Sequence, residues 1–139
     1  MKEVNPYLNF NGSTRRAMTF YNECFGAKLD IMPMPDAQGQ PSTDPNSRVM
    51  HACISRNGQS ILMASDTMPS HTLQPGNNMH VSIQCESVAE IERLFAALSH
   101  GGVVKVPLAD TFWGARFGML TDQFGIQWML NCQLPPARS

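Results

Sequence analysis

Residues 79–85, Met-His-Val-Ser-Ile-Gln-Cys, alternate strictly. Val81, Ile83 and Cys85 fall on one side, with His80, Ser82 and Gln84 on the other, which is the pattern of a half-buried strand. Ser87-Val88-Ala89-Glu90 follows as a capping box and opens a helix. Its apolar stripe is Val88, Ile91, Leu94, Phe95 and Leu98, and Gly101-Gly102 ends it. Short strands are predicted at residues 103–106, 115–121 and 126–131, the last two joined through Asp122-Gln123-Phe124-Gly125.

The first half reads the same way. Residues 5–10 form a strand. Ser13 is placed to cap a helix through Ala17, Phe20, Tyr21 and Cys24, with Gly26 at its C-terminal end. Residues 27–32 form a second strand, followed by a loop with four prolines through Pro45. Residues 49–55 and 60–65 are two further strands, joined at Arg56-Asn57-Gly58, where Asn-Gly is a strong hairpin signal. Residues 66–78 form a second loop, holding Pro69, Pro75 and Gly76.

Each half is therefore strand, helix, strand, strand, strand. Ser13 and Ser87 lie 74 residues apart, as do Phe20 and Leu94, while Gly26 and Gly101 are 75 apart and Gly58 and Gly125 are 67 apart. The shorter last offset reflects the longer proline-rich loop of the first half. Two βαβββ modules are expected, at about residues 1–66 and 79–132, within one α+β domain spanning 1–139. One helix covers only one face of a four-stranded sheet. The expected architecture is a curved, open-barrel sheet whose uncovered faces line a central cleft.

Composition narrows the class. Charged residues make up 15% of the 139, below the roughly 25% typical of soluble domains. Ten basic against eleven acidic residues leave a net charge of -1, which argues against a nucleic-acid partner. No run approaches a membrane span, and residues 1–5 hold no apolar signal-peptide core. The cysteines, Cys24, Cys53, Cys85 and Cys132, are separated by 29, 32 and 47 residues, so there is no CxxC pair. Reduced, mostly buried thiols in a cytoplasmic protein are expected. Ten methionines are an excess that suits either core filler or an adaptable apolar pocket.

The paired modules resemble the glyoxalase/bleomycin-resistance, or vicinal oxygen chelate, superfamily, and within it the PhnB-like branch. The residues that carry this are Pro6-Tyr7-Leu8-Asn9-Phe10-Asn11-Gly12, Phe20-Tyr21, Phe25-Gly26-Ala27, His51-Ala52 and Met63-Ala64-Ser65-Asp66. The C-terminal run adds Thr111-Phe112-Trp113-Gly114, Phe117-Gly118, Thr121-Asp122, Phe124-Gly125 and Trp128-Met129. Members of the branch are often labelled demethylubiquinone methyltransferases, yet no glycine-rich strand-to-helix motif for a methyl donor is present. The resemblance implies the glyoxalase-like fold and a homodimer. It also implies that related metalloenzymes hold a cation with four ligands, mostly His and Glu, two from each module. The matching positions are Asn5 or Tyr7, Met63, His80 and Met129. Only His80 is a good ligand for a hard or borderline cation, because thioethers prefer soft ions such as Cu(I). No cofactor and no usual metal site are therefore expected, with a divalent metal as the alternative.

His80 is the best candidate for a catalytic role, as a general base or an acceptor for a bound ligand. The alternative is a former ligand position hydrogen-bonded to a neighbour. His51 is a second pocket candidate, and Tyr7 and Asn9 would complete a polar wall. Phe112, Trp113 and Arg116 suggest an aromatic lid with one cationic anchor, or else packing over a sheet edge. Asp122 is expected to hold the last turn, and Asp66, at the rim of the cleft, either to begin a turn or to contact a ligand, while His71 and His100 are expected to be solvated. With Met63 and Met129 these residues suggest a protein that binds a small, partly apolar molecule, like the superfamily's drug-sequestering members. A metal-dependent lyase, isomerase or dioxygenase is the alternative.

Overall fold

The computed structural model describes residues 1–136. The chain divides into two compact units, Met1–Gln74 and a second beginning at Pro75. The first contains β1 (Tyr7–Phe10), α1 (Thr14–Phe25), β2 (Lys28–Pro33), β3 (Val49–Arg56) and β4 (Gln59–Asp66). Its sheet order is β1-β4-β3-β2, with β1 parallel to β4 and the other pairs antiparallel. The second contains β5 (Val81–Cys85), α2 (Val88–Ser99), β6 (Val103–Asp110), β7 (Ala115–Thr121) and β8 (Gln127–Gln133). Its order is β5-β8-β7-β6, again with the outer pair, β5 and β8, parallel. The architecture is α+β with two βαβββ modules, as the periodicity predicts. No helix among the described residues is long and apolar enough to cross a membrane.

In each unit the helix lies on one sheet face. From α1, Ala17, Met18, Tyr21 and Cys24 are buried, above Val49, Ala52, Ile54, Leu62 and Ala64 of the sheet. From α2, Ile91, Leu94, Phe95 and Leu98 are buried, above Leu120, Trp128, Leu130 and Cys132. Fully buried residues such as Ile91 and Leu98 each contribute about 2 kcal/mol through removal from water. Asn57 and Gly58 both adopt positive φ, 53° and 78°, which two-residue hairpin turns require.

Strand limits differ from the sequence reading by one or two residues at several ends, and by more in β6. β1 begins at Tyr7 and β5 at Val81, two residues later than their apolar patterns suggest. β6 does not stop at residue 106 but continues through Pro107 to Asp110. Proline is tolerated there because β6 is an edge strand whose register against β7 shifts on either side of Val106.

Helix starts differ too. Ser87 Oγ accepts from Glu90 N–H at 3.1 Å, as the capping box predicts, and the Glu90 carboxylate accepts from Glu86 N–H. Ser13, by contrast, makes no side-chain cap bond. The start of α1 is held instead by Asp66, from the end of β4. Asp66 Oδ1 accepts from Gly12 N–H (2.8 Å), Thr14 N–H (3.1 Å) and Thr14 Oγ1–H (2.9 Å), while Oδ2 accepts from Val49 N–H (2.8 Å). This carboxylate is buried, not the rim residue of a simple turn. In the second unit the buried Asp122 accepts from Phe124 N–H, Ile126 N–H and Trp128 Nε1–H, holding the β7–β8 turn as expected.

Candidate functional site

Each sheet presents one face away from its helix, and the candidate residues are distributed over these two open faces. In the first unit, strand register places Asp30, Cys53, Met63 and Tyr7 in one row across β2, β3, β4 and β1. Directly paired residues share a face, so all four project from the open side. His51 stands two residues before Cys53 on β3, opposite Met32 on β2. Tyr7 leans across β4 to reach it: the hydroxyl lies 3.0 Å from His51 Nδ1, and the rings stack with centroids 5.7 Å apart. Cys53 rests its thiol on Ser60 Oγ at 3.2 Å.

Asn9, opposite Ser65, is also on this face. Together with Thr67, Ser70, His71 and Leu73 it borders a cavity of about 560 Å³ beyond the ends of β1 and β4. The buried Thr67 hydroxyl beside it has no hydrogen-bond partner. Sequence reasoning passed over this loop because nothing in a run of Ser, Thr, His and Pro shows where its side chains turn.

In the second unit two rows cross β5, β8 and β7. One is Ser82, Met129 and Met119; the other is Gln84, Asn131 and Phe117. Asn131 Nδ2 donates to Gln84 Oε1 at 3.0 Å, a polar border beside the thioethers. Trp113, in the β6–β7 turn, lies edge-on to Phe117 with centroids 6.3 Å apart, and Phe112 lies edge-on to Trp113 at 4.9 Å. Trp113 is 55% exposed and Phe112 almost wholly so. The Thr111 hydroxyl bonds to both backbone groups of Ala115 and holds the turn that carries them.

His80 is exposed and immediately precedes β5, two residues before Ser82, which stands opposite Met129. Arg116 sits elsewhere than the sequence suggests. Arg116 pairs with Cys132 on the helix-covered side of the sheet. There it donates to Asp110 at 2.8 Å and to Glu92 of α2 at 2.6 Å. The hydrogen bond to Asp110 raises its pKa above the ordinary value, so it stays a structural cation. The structure thus joins Tyr7 to His51 and Trp113 to Phe117 and Phe112, but does not bring Arg116 to the face that carries Met129.

Cys85 and Cys132 are direct neighbours across the β5–β8 pair, and both are buried. Burial, followed by the nearby Glu90 carboxylate, pushes the Cys85 thiol up to about 11. That is the opposite of an activated nucleophile.

The donors at the strand positions of interest do not suit a hard or borderline divalent cation. Met63 and Met129 offer thioethers, and among the described residues no three His, Cys, Asp or Glu side chains are grouped to hold a metal.

Comparison with known proteins bears on the fold and the family. Protein PA1353 from Pseudomonas aeruginosa superposes with a TM-score of 0.82 at 39% identity, covering 97% of this chain and 100% of its own. The PhnB protein from Bacillus cereus superposes with a TM-score of 0.76 at 26% identity, over 94% and 99% of the two chains. Protein YjdN of Escherichia coli strain K12 is 32% identical over 139 residues, covering 92% of this chain and 93% of that one. The family model described as the Glyoxalase/Bleomycin resistance protein/Dioxygenase superfamily matches residues 4–130. That match covers both βαβββ modules except the last three residues of β8, and the chain belongs to this superfamily.

Proposed function

We propose that this protein binds a small, partly apolar molecule, and that it does so without the divalent cation used by metalloenzymes of its superfamily. The observation that carries this reading is the aromatic and thioether surface of the second unit. Trp113, Phe117, Met119 and Met129 form its apolar part, and Ser82, Gln84 and Asn131 its polar border. Ligand sites are mostly apolar with a few placed polar groups, and thioethers pack well against aromatic rings. On the first unit's open face the Tyr7–His51 pair offers a donor and an acceptor, with Met63 beside them.

The two tryptophans make the test direct. Trp128 is buried and hydrogen-bonded, whereas Trp113 is half exposed. A panel of planar aromatic and aliphatic compounds, screened by thermal shift, is expected to yield a ligand that quenches Trp113 fluorescence. Trp113→Phe then removes that response, and Trp113→Ala weakens binding at least tenfold. A panel in which no compound stabilises the protein, or quenching that survives Trp113→Phe unchanged, overturns the proposal.

A further inference from the structure

We propose that the open face of the first unit holds a soft, thiophilic cation of the Cu(I) type, bound by the His51 imidazole, the Cys53 thiolate and the Met63 thioether. All of these residues belong to the first unit, and the proposal does not rest on ligand binding by the second.

The register brings these donors together. Cys53 on β3 stands directly opposite Met63 on β4, and His51 is two residues before Cys53 on the same face. Directly opposed residues hold their Cβ atoms about 5 Å apart, and residues two apart along a strand are separated by roughly 6.6 Å. Cys, His and Met side chains each reach a few ångströms from Cβ, so their donor atoms can converge on one point above the sheet. Met32, opposite His51 and exposed, stands where a fourth, thioether donor can approach.

His51 can be prepared for the role: in the Nδ1–H tautomer Nδ1 donates to the Tyr7 hydroxyl oxygen, and Nε2 keeps the lone pair that binds the ion. A hydrogen bond to the other ring nitrogen is the usual companion of a metal-bound histidine, fixing both tautomer and ring orientation. The Cys53 thiol rests on Ser60 Oγ, a weak interaction that a turn about χ1 releases. On binding, the Cys53 S–H bond breaks, an S–Cu bond forms and the proton passes to solvent. Copper enters and remains as Cu(I), so no electron is transferred.

Chemistry selects the ion. Thiolate, thioether and imidazole favour Cu(I) over Mg²⁺, Mn²⁺ or Ca²⁺. Asp30, the carboxylate in the same row, lies towards Lys28 Nζ at 4.0 Å. The set reaches three donors only if the Met63 thioether is counted, and a thioether is a poor ligand for a hard ion.

The test is an anaerobic Cu(I) titration of the whole protein against a chromogenic chelator such as bicinchoninate. One equivalent is expected to be retained. Cys53→Ser and His51→Ala should each weaken retention at least tenfold, and Met63→Leu several-fold. Tyr7→Phe should weaken it by a smaller factor, since that residue only orients the ring. X-ray absorption should show a sulfur-rich shell with one nitrogen. All four positions lie on the uncovered face, and circular dichroism confirms that each variant is folded. Failure to retain Cu(I) overturns the proposal. So does retention that is unchanged in Cys53→Ser, which places the ion at the buried Cys85–Cys132 pair instead.

Discussion

Tyr7 and His51 meet across a strand that belongs to neither of them: β4 lies between β1 and β3, yet the Tyr7 hydroxyl sits 3.0 Å from His51 Nδ1. The contact, with the stacked rings, restrains the orientation of the imidazole. In Tyr7→Phe that restraint is lost. Long-range ¹H–¹⁵N spectra should show the His51 ring nitrogens moving towards the pattern of a tautomer mixture. Because the pair is exposed to solvent, unfolding free energy should fall by about 1 kcal/mol or less. A ring spectrum identical to that of the parent protein counts against the hydrogen bond.

Asp66 carries a larger share of stability. Four donors converge on one buried carboxylate, from the β1–α1 loop, the first residue of α1 and the first residue of β3. Asp66→Asn turns an amide N–H against at least one of those donors and removes the charge that strengthens the rest. We expect a loss of roughly 3 kcal/mol, read as a lower urea midpoint with little change in slope. A loss below about 1 kcal/mol would show that water substitutes for the carboxylate.

Arg116 should behave as a structural residue. Its ion pairs with Asp110 and Glu92 lie at the surface and are open to screening. Arg116→Ala is expected to lower the thermal midpoint slightly in low salt, and the difference should vanish near ~1 M salt. Ligand affinity on the second unit's open face should not change. An affinity that drops with this substitution would restore Arg116 to the anchoring role its sequence position suggests.

Cys85 sets a pH limit. Its thiol keeps its proton up to about 11 in the folded chain, while the unfolded thiol ionises near 9.0. Above the lower value the unfolded state binds fewer protons, so stability falls as pH rises from about 9 to about 11 and is unaffected by this group below that window. Cys85→Ala should flatten the alkaline limb of a stability–pH profile. Iodoacetamide should label the half-buried Cys53 well before Cys85.

Much of the fold is legible in the sequence because its signals are local. Val81, Ile83 and Cys85 alternate as a strand of this sheet must, and Asn57-Gly58 supplies the positive φ of the hairpin. The misplacements share a physical cause, in that they depend on neighbours distant in the chain. The strand read at 103–106 runs on through Pro107, which the edge position of β6 tolerates. Arg116 adjoins Phe117 in sequence, but a strand sends successive side chains to opposite faces. His80 lies one residue outside β5, because the strand ladder begins only at Val81. Ser13 has the chemistry of a cap, yet Asp66 occupies the donors it would have taken. Gly101-Gly102 reads as a helix stop, but only Gly101 has positive φ. Gly102 is small because a Cβ there would collide with the Thr121 carbonyl oxygen and the Asp122 backbone.

The parallel pairing of first and last strands also imposes an order in time. Within the first unit the β3–β4 hairpin and α1 can form from local contacts, but Tyr7 meets its partner only when Met63 is in place. The start of α1 waits for Asp66, three residues later still. The second unit repeats this arrangement, with Val81 waiting for Trp128. During synthesis each half therefore remains unfinished until its own final strand has emerged. A ribosome pausing just before residue 59 or residue 127 would leave β1 or β5 without the strand it pairs with.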